Sequence, residues 1–269
     1  MYGEPDIERL ALLRRVVESG HSIGQVAKLA TDRLRALESS GSSTMAVSMV
    51  LGTDPEDRYL SWCLQALDQL DGRALEEGLL RGAASLGMIG LLTTVVIPLL
   101  GVIDEGWPKG TISISQEHMA STVLRTYLDR TRLSLTSPPS APRILVTTPT
   151  NQHHEIGALM VAIIAAMQNW NVTYLGPNLP ADEIAAAART CSASAIGLSL
   201  VFPIDDPKLP EELRRLRSLL GPSMPILVGG RATMSYEASL HEIQAEICQG
   251  LIDLHAPLDR IEGRRVGSY

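Results

Sequence analysis

The stretch "RILVTTPTNQHHEIGALMVAIIAAMQ", residues 143–168, changes period in its middle. Residues 143–148 are a short run of aliphatic and β-branched side chains, which reads as a buried strand. From 154 to 169 the apolar run is too long for a strand and reads as a helix. His153 and His154 stand side by side at the junction. A buried, unpaired imidazole pair would be costly there, so the pair calls for a functional reason.

The same alternation continues downstream. Residues 171–176, 195–202 and 225–230 are β-rich, and 180–191 and 209–220 are helical in pattern. "AEICQG" (245–250) supplies a fifth strand and "PLDRIEG" (257–263) a final helical turn. Strands alternating with helices imply a parallel sheet with right-handed crossovers. The expectation for 143–269 is therefore an α/β, doubly wound, Rossmann-like domain. Such sheets bind ligands beyond the carboxyl ends of their strands, which puts the two histidines on the binding edge.

Upstream, "TSPPSAP" (136–142) reads as a stiff linker. Residues 54–135 have helical periodicity, with turn signals at Asp71-Gly72 and at Trp107-Pro108-Lys109-Gly110. A break near the glycines at 87–90 makes this an all-α, four-helix bundle. Within it, Ala83 to Ile103 is a 21-residue run without a charge, long enough to cross a bilayer. Gly87, Gly90, Pro98 and Gly101 interrupt it, and Asp104 and Glu105 close it without a basic cluster. It reads better as a buried helix pair lining an internal cavity than as a membrane span. Residues 5–38 hold three further helical segments, and 39–44 ("SSGSST") form a joint.

Net charge is −7, which argues against a broad nucleic-acid or anionic-lipid surface. A single Phe leaves core filling to Leu, Ile, Val, Ala and Met. Cys63, Cys191 and Cys248 lack metal-like spacing, and no secretory signal pattern opens the chain. Together these point to a reducing cytoplasm.

Three features fall on the carboxyl edge of the expected sheet: Gln152-His153-His154-Glu155-Ile156-Gly157, then Ser199-Leu200-Val201, then Gly229-Gly230. Forty-one residues separate Gly157 from Ser199, and 27 separate Val201 from Gly229. This pattern resembles the cobalamin-binding signature of methionine synthase and the mutases, Asp-x-His-x-x-Gly, Ser-x-Leu, Gly-Gly. The resemblance implies that His154 ligates cobalt from the lower face, where it displaces the benzimidazole. It implies that Gly157 lets the nucleotide tail approach the backbone, that Ser199 hydrogen-bonds the displaced base, and that Gly229 and Gly230 give the tail a side-chain-free passage. Two positions depart from it. Gln152 stands where the pattern has an acid, and its neutral carbonyl is expected to accept the ring N–H of His154 more weakly. Val201 replaces a leucine. His153 should point elsewhere.

In the helical half, Trp107, nine intervening residues and Glu117-His118 resemble the cap bundle of CarH-like photoreceptors. In that family these side chains enclose the adenosyl group above the corrin. On the bare residues, Ser115 reads equally as a helix cap before a solvated Glu117-His118 turn. Residues 1–44 are similar to the back half of a MerR-type DNA-binding domain, without its recognition half, and 1–40 carry six acidic and six basic side chains. The combined expectation is a non-enzymatic regulatory light sensor. It would hold adenosylcobalamin between cap and α/β domain and act as a homo-oligomer, a dimer or tetramer. DNA would be a partner only through a missing recognition segment, and a membrane is not expected. A corrinoid carrier subunit of a methyltransferase or mutase, and a bilin-containing relative of the sensor, stay open as alternatives.

Overall fold

The computed structural model describes residues 55–266, with Thr31 alone before them. Apart from Thr31, the expected helical lead-in of residues 1–44 lies outside the described residues.

Four helices come first. Helix α1 (Pro55–Asp68) leads to α2 (Gly72–Gly90), whose start is capped by Asp71, its carboxylate accepting the Ala74 N–H at 2.9 Å. Gly87, at φ +71° and ψ 170°, breaks α2 where the glycines were expected to break it. A π-helical segment follows (Leu91–Val96) and runs into α3 (Ile97–Lys109). The hydroxyls of Thr93 and Thr94 donate back to the carbonyls of Ile89 and Gly90, a competition that loosens the regular ladder. Helix α4 (Ile114–Ser134) completes the bundle.

Two local expectations need correction. Trp107 and Pro108 do not form the turn after α3; they belong to its last turn. The helix ends at Gly110, left-handed at φ +70°, and the N–H groups of Thr111 and Ile112 fold back onto the Gly106 carbonyl. The cap of α4 is Ser113, not Ser115. Ser113 and Gln116 form a reciprocal capping box, and Gln116 also donates to the Leu67 carbonyl of α1 at 3.3 Å.

The second half is a five-stranded, all-parallel sheet in the order β2-β1-β3-β4-β5. Its strands are β1 (Arg143–Thr147), β2 (Asn171–Tyr174), β3 (Ala195–Ser199), β4 (Ile226–Gly229) and β5 (Glu246–Cys248). Helices α5 (Ile156–Met167), α6 (Ala181–Thr190) and α7 (Leu209–Leu220) connect them, so the Rossmann-like expectation describes this half well. Two pieces were not expected: a 3₁₀ turn with a short helix α8 (Thr233–Tyr236, Glu237–Glu242), and a closing helix α9 (His255–Val266) in place of a single turn. Strand order reverses between β1 and β3, so a crevice opens at their carboxyl ends.

The two sheet faces close two cores. Along β1, Ile144 and Val146 join the core shared with the bundle, α5 and α9, while Leu145 joins the core under α6, α7 and α8. The segment before β1 is tied down as well: Ser137 donates to the Trp170 carbonyl, and the Asn171 amide to the carbonyls of Pro138 and Ala141. Gly72–Gly106 is apolar and long enough to span a membrane by composition. In this fold Leu79, Leu91, Leu92, Val95, Val96 and Leu99 from that stretch are buried in the shared core.

Leu124 of α4 is fully buried in that core, whereas Leu133 is 65% exposed. We expect Leu124→Ala to destabilise the protein by about 2–5 kcal/mol in urea unfolding and Leu133→Ala by less than about 0.5 kcal/mol. Equal losses would contradict the packing described.

Candidate functional site

A cavity of about 1180 Å³ lies between the bundle and the carboxyl edge of the sheet. Helices α3 and α4 form its upper side, with Glu117 and His118. The loops after β1, β3 and β4 form its lower side, with His154, Gly157, Ser199, Val201, Gly229 and Gly230. The fold therefore gathers eight of the ten residues singled out from the sequence. Trp107 belongs to the last turn of α3 by its backbone, but its side chain is outside the described residues. Gln152 does not line the cavity.

The lower wall is stripped of side chains for steric reasons. A Cβ at position 157 would sit 2.6 Å from Ser199 Oγ. A Cβ at 229 would meet the Cys248 carbonyl at 3.2 Å, and one at 230 the Leu200 carbonyl at 2.2 Å. Gly230 is also at φ +107°, which other residues rarely adopt. Ser199 is 2% exposed, and its hydroxyl has no partner among the described residues. A buried hydroxyl left unpaired costs about 1–3 kcal/mol, so this one is a ready hydrogen-bonding group for whatever fills the cavity.

The two histidines diverge. His154 faces the large cavity, and its ring stands edge-on to Phe202 with centroids 5.8 Å apart. No hydrogen bond holds this imidazole among the described residues. His153 lines a separate polar pocket of about 310 Å³ with Asn151, Asn178 and Asp206.

Gln152 corrects an expectation. Its carbonyl accepts the N–H groups of Val201 (2.8 Å) and Phe202 (3.0 Å), and its amide donates to the Pro203 carbonyl at 2.9 Å. Both lone pairs of the amide oxygen are taken. Gln152 thus holds the chain after β3 and has no acceptor left for the His154 ring.

On the upper side Glu117 contacts His118 and accepts from Ser121 at 2.8 Å. Burial pushes the Glu117 carboxyl up, but the bonds from His118 and Ser121 outweigh it and hold it below the usual range. Asp104 of α3 pairs with Arg231 at 2.7 Å across the cavity. Burial raises the Asp104 carboxyl, and the Arg231 charge only partly offsets this. A second pair, Arg125 of α4 with Glu155 at 2.9 Å, joins the halves beside the start of α5, where the Tyr174 hydroxyl also donates to Glu155. Burial and the Glu155 charge both raise the Tyr174 phenol. Neither cross-half pair is legible in the sequence, because the partners lie 30 positions apart (Arg125 and Glu155) and 127 positions apart (Asp104 and Arg231).

Residues 142–251 match the B12 binding domain family, and residues 63–131 match a second B12 binding domain family. The chain is 28% identical to the HTH-type transcriptional repressor CarH of Myxococcus xanthus over 267 residues, 97% of this chain and 85% of that protein. The chain is a CarH-like cobalamin-binding protein. A second repressor of that organism, CarA, is 26% identical over 54% of this chain and 50% of its own length. The monomethylamine corrinoid protein of Methanosarcina barkeri shares the fold, with a TM-score of 0.61 at 13% identity, over 76% of this chain and 99% of that one.

The residues of this CarH-like chain fit a cobalamin. An imidazole without a protein hydrogen bond, an orphan hydroxyl and a wall that excludes Cβ atoms all face one cavity. Two glycine substitutions should separate binding from folding. Gly157→Ala crowds only the Ser199 hydroxyl, so it should weaken cobalamin binding in a titration while leaving the melting temperature nearly unchanged. Gly230→Ala drives a Cβ into backbone at a strained φ, so it should lower the melting temperature by several degrees, in line with a cost of about 1–3 kcal/mol.

Proposed function

We propose that this protein is a regulatory light sensor that holds adenosylcobalamin between its helical bundle and its α/β half. The observation that carries the reading is the placement of His154 on one wall of the cavity and of Glu117 and His118 on the opposite wall. When bound, adenosylcobalamin supplies a light-cleavable cobalt–carbon bond. His154 would hold the cofactor by offering a ring-nitrogen lone pair to its cobalt. Ser199 would give its unpaired hydroxyl to the nucleotide base, and Gly157, Gly229 and Gly230 would leave room for the tail. Glu117, its carboxyl held below the usual range, would accept hydrogen bonds from hydroxyls on the upper ligand. Val201 packs against the tail.

Signalling in this reading is a shift of the bundle against the sheet that alters oligomer state in the cytoplasm. The repressors that this chain resembles are named as helix-turn-helix proteins, which makes DNA the candidate partner in this reading. An enzyme component is the second reading. An ethylmalonyl-CoA mutase of Methylorubrum extorquens is 26% identical over 72% of this chain, although over only 29% of its own length.

The absorption spectrum of the full chain reconstituted with adenosylcobalamin, before and after green light, tests the proposal. We expect an irreversible spectral change with a shift in elution volume. An elution volume indifferent to light, together with methyl transfer to a thiol from the protein loaded instead with methylcobalamin, would favour the carrier. His154→Ala should abolish the histidine-ligated spectrum and weaken binding about tenfold or more, while His153→Ala should leave both intact. Loss in both variants alike would overturn the assignment of the ligand.

A further inference from the structure

The cobalamin-binding pattern expects an acid to orient the ligand histidine, yet Gln152 is fully engaged elsewhere. It is 1% exposed, and three hydrogen bonds tie its side chain to three consecutive backbone positions, 201 to 203. Its orientation follows from that network: two N–H groups need an acceptor and one carbonyl needs a donor, so a flipped amide would leave all three unmade. A carboxylate could serve the two N–H groups but would face the Pro203 carbonyl without a proton to give. Glutamine thus suits the clamp, and an acid suits the histidine.

The clamped segment leads back to the cavity. Val201 lines it, and Phe202 places its ring edge-on to His154 at 78° between ring planes. Arg231 grips the same segment from the other side, its Nε donating to the Val201 carbonyl at 3.3 Å. We infer that Gln152 is a positioning residue that orients His154 indirectly, through the 201–203 backbone and the ring of Phe202, in place of a direct hydrogen bond to the imidazole. This rests on the reading of His154 as the cobalt ligand. It assigns Phe202, a residue outside the motif, to the setting of that ligand.

The test uses the full chain with Gln152→Glu, Phe202→Leu and His154→Ala, and two readouts. The first is backbone hydrogen exchange of residues 200–204 without cobalamin. The second is the axial-nitrogen splitting in the electron spin resonance spectrum of the protein loaded with cob(II)alamin. Gln152→Glu keeps the shape of the side chain and removes one donor. Repulsion between the new carboxylate oxygen and the Pro203 carbonyl should push the side chain out of the clamp, so that exchange at Val201 and Phe202 speeds up about tenfold and the nitrogen splitting broadens or diminishes. Phe202→Leu should disturb the splitting while leaving Val201 exchange near its original rate. Disturbed splitting in Gln152→Glu with unchanged exchange, together with an unaffected Phe202→Leu, would overturn the inference in favour of a direct contact. Unchanged splitting in both variants would overturn it as well. His154→Ala separates the two levels. In protein labelled with ¹⁵N-histidine the splitting should change with the label and lose that change in His154→Ala; splitting indifferent to the label refutes the ligand reading itself, whereas the exchange data still decide whether Gln152 clamps the segment.

Discussion

Helix α5 is apolar on all sides because it is covered on all sides. Ala158 through Ala166, apart from Val161, are buried, and α5 lies between the sheet and α4. A helix of this kind has no solvent face and must sit inside a protein. That requirement joins the bundle to the α/β half through one continuous core, from Cys63 to Ile261. The cavity is what remains at one end of this joint, where β1 hands the chain to α5 and the bundle overhangs the sheet edge. A fully buried Leu or Ile contributes roughly 1.5–3 kcal/mol, and many such residues meet at this seam. The attachment of the two halves is therefore hydrophobic in origin.

Polar contacts then fix how the halves meet. Glu117, Ser121 and Arg125 fall on one face of α4 at four-residue spacing. The first two line the upper side of the cavity, and the third pairs with Glu155, next to His154. One helix thus touches both levels of the site. Arg125 is 66% exposed and Arg231 is 46% exposed, so each pair is worth no more than about 1 kcal/mol. These pairs are too weak to hold the halves together, but they are directional enough to set register. Such a joint takes its strength from packing and its register from these pairs.

Much of this was legible in the chain. Strand ends could be read because β-branched runs stop at Gly, Pro and Ser, and their spacing put His154, Ser199 and Gly229 on one edge. The break at Gly87 was legible because glycine is cheap at positive φ. Other features depend on partners distant in sequence. Pro108 looks like a turn residue, yet the loop behind it satisfies the carbonyl of Gly106 and lets α3 continue. The 233–242 helix is too short to show periodicity. Gln152 looked like a weakened acid in the motif, because the carbonyl and amides it serves lie 49 to 51 positions later. The pairing of Asp104 with Arg231 is likewise a product of the fold, invisible to local pattern.

In the proposed site one cobalamin would fill the cavity with its cobalt over His154. A crystal structure of the loaded protein, recorded at the cobalt absorption edge, addresses it directly. We expect one anomalous peak within coordinating distance of a His154 ring nitrogen, with the Gly157–Ser199 wall on one side and Glu117 and His118 on the other. A peak beside His153, or a corrin outside this cavity, would contradict it.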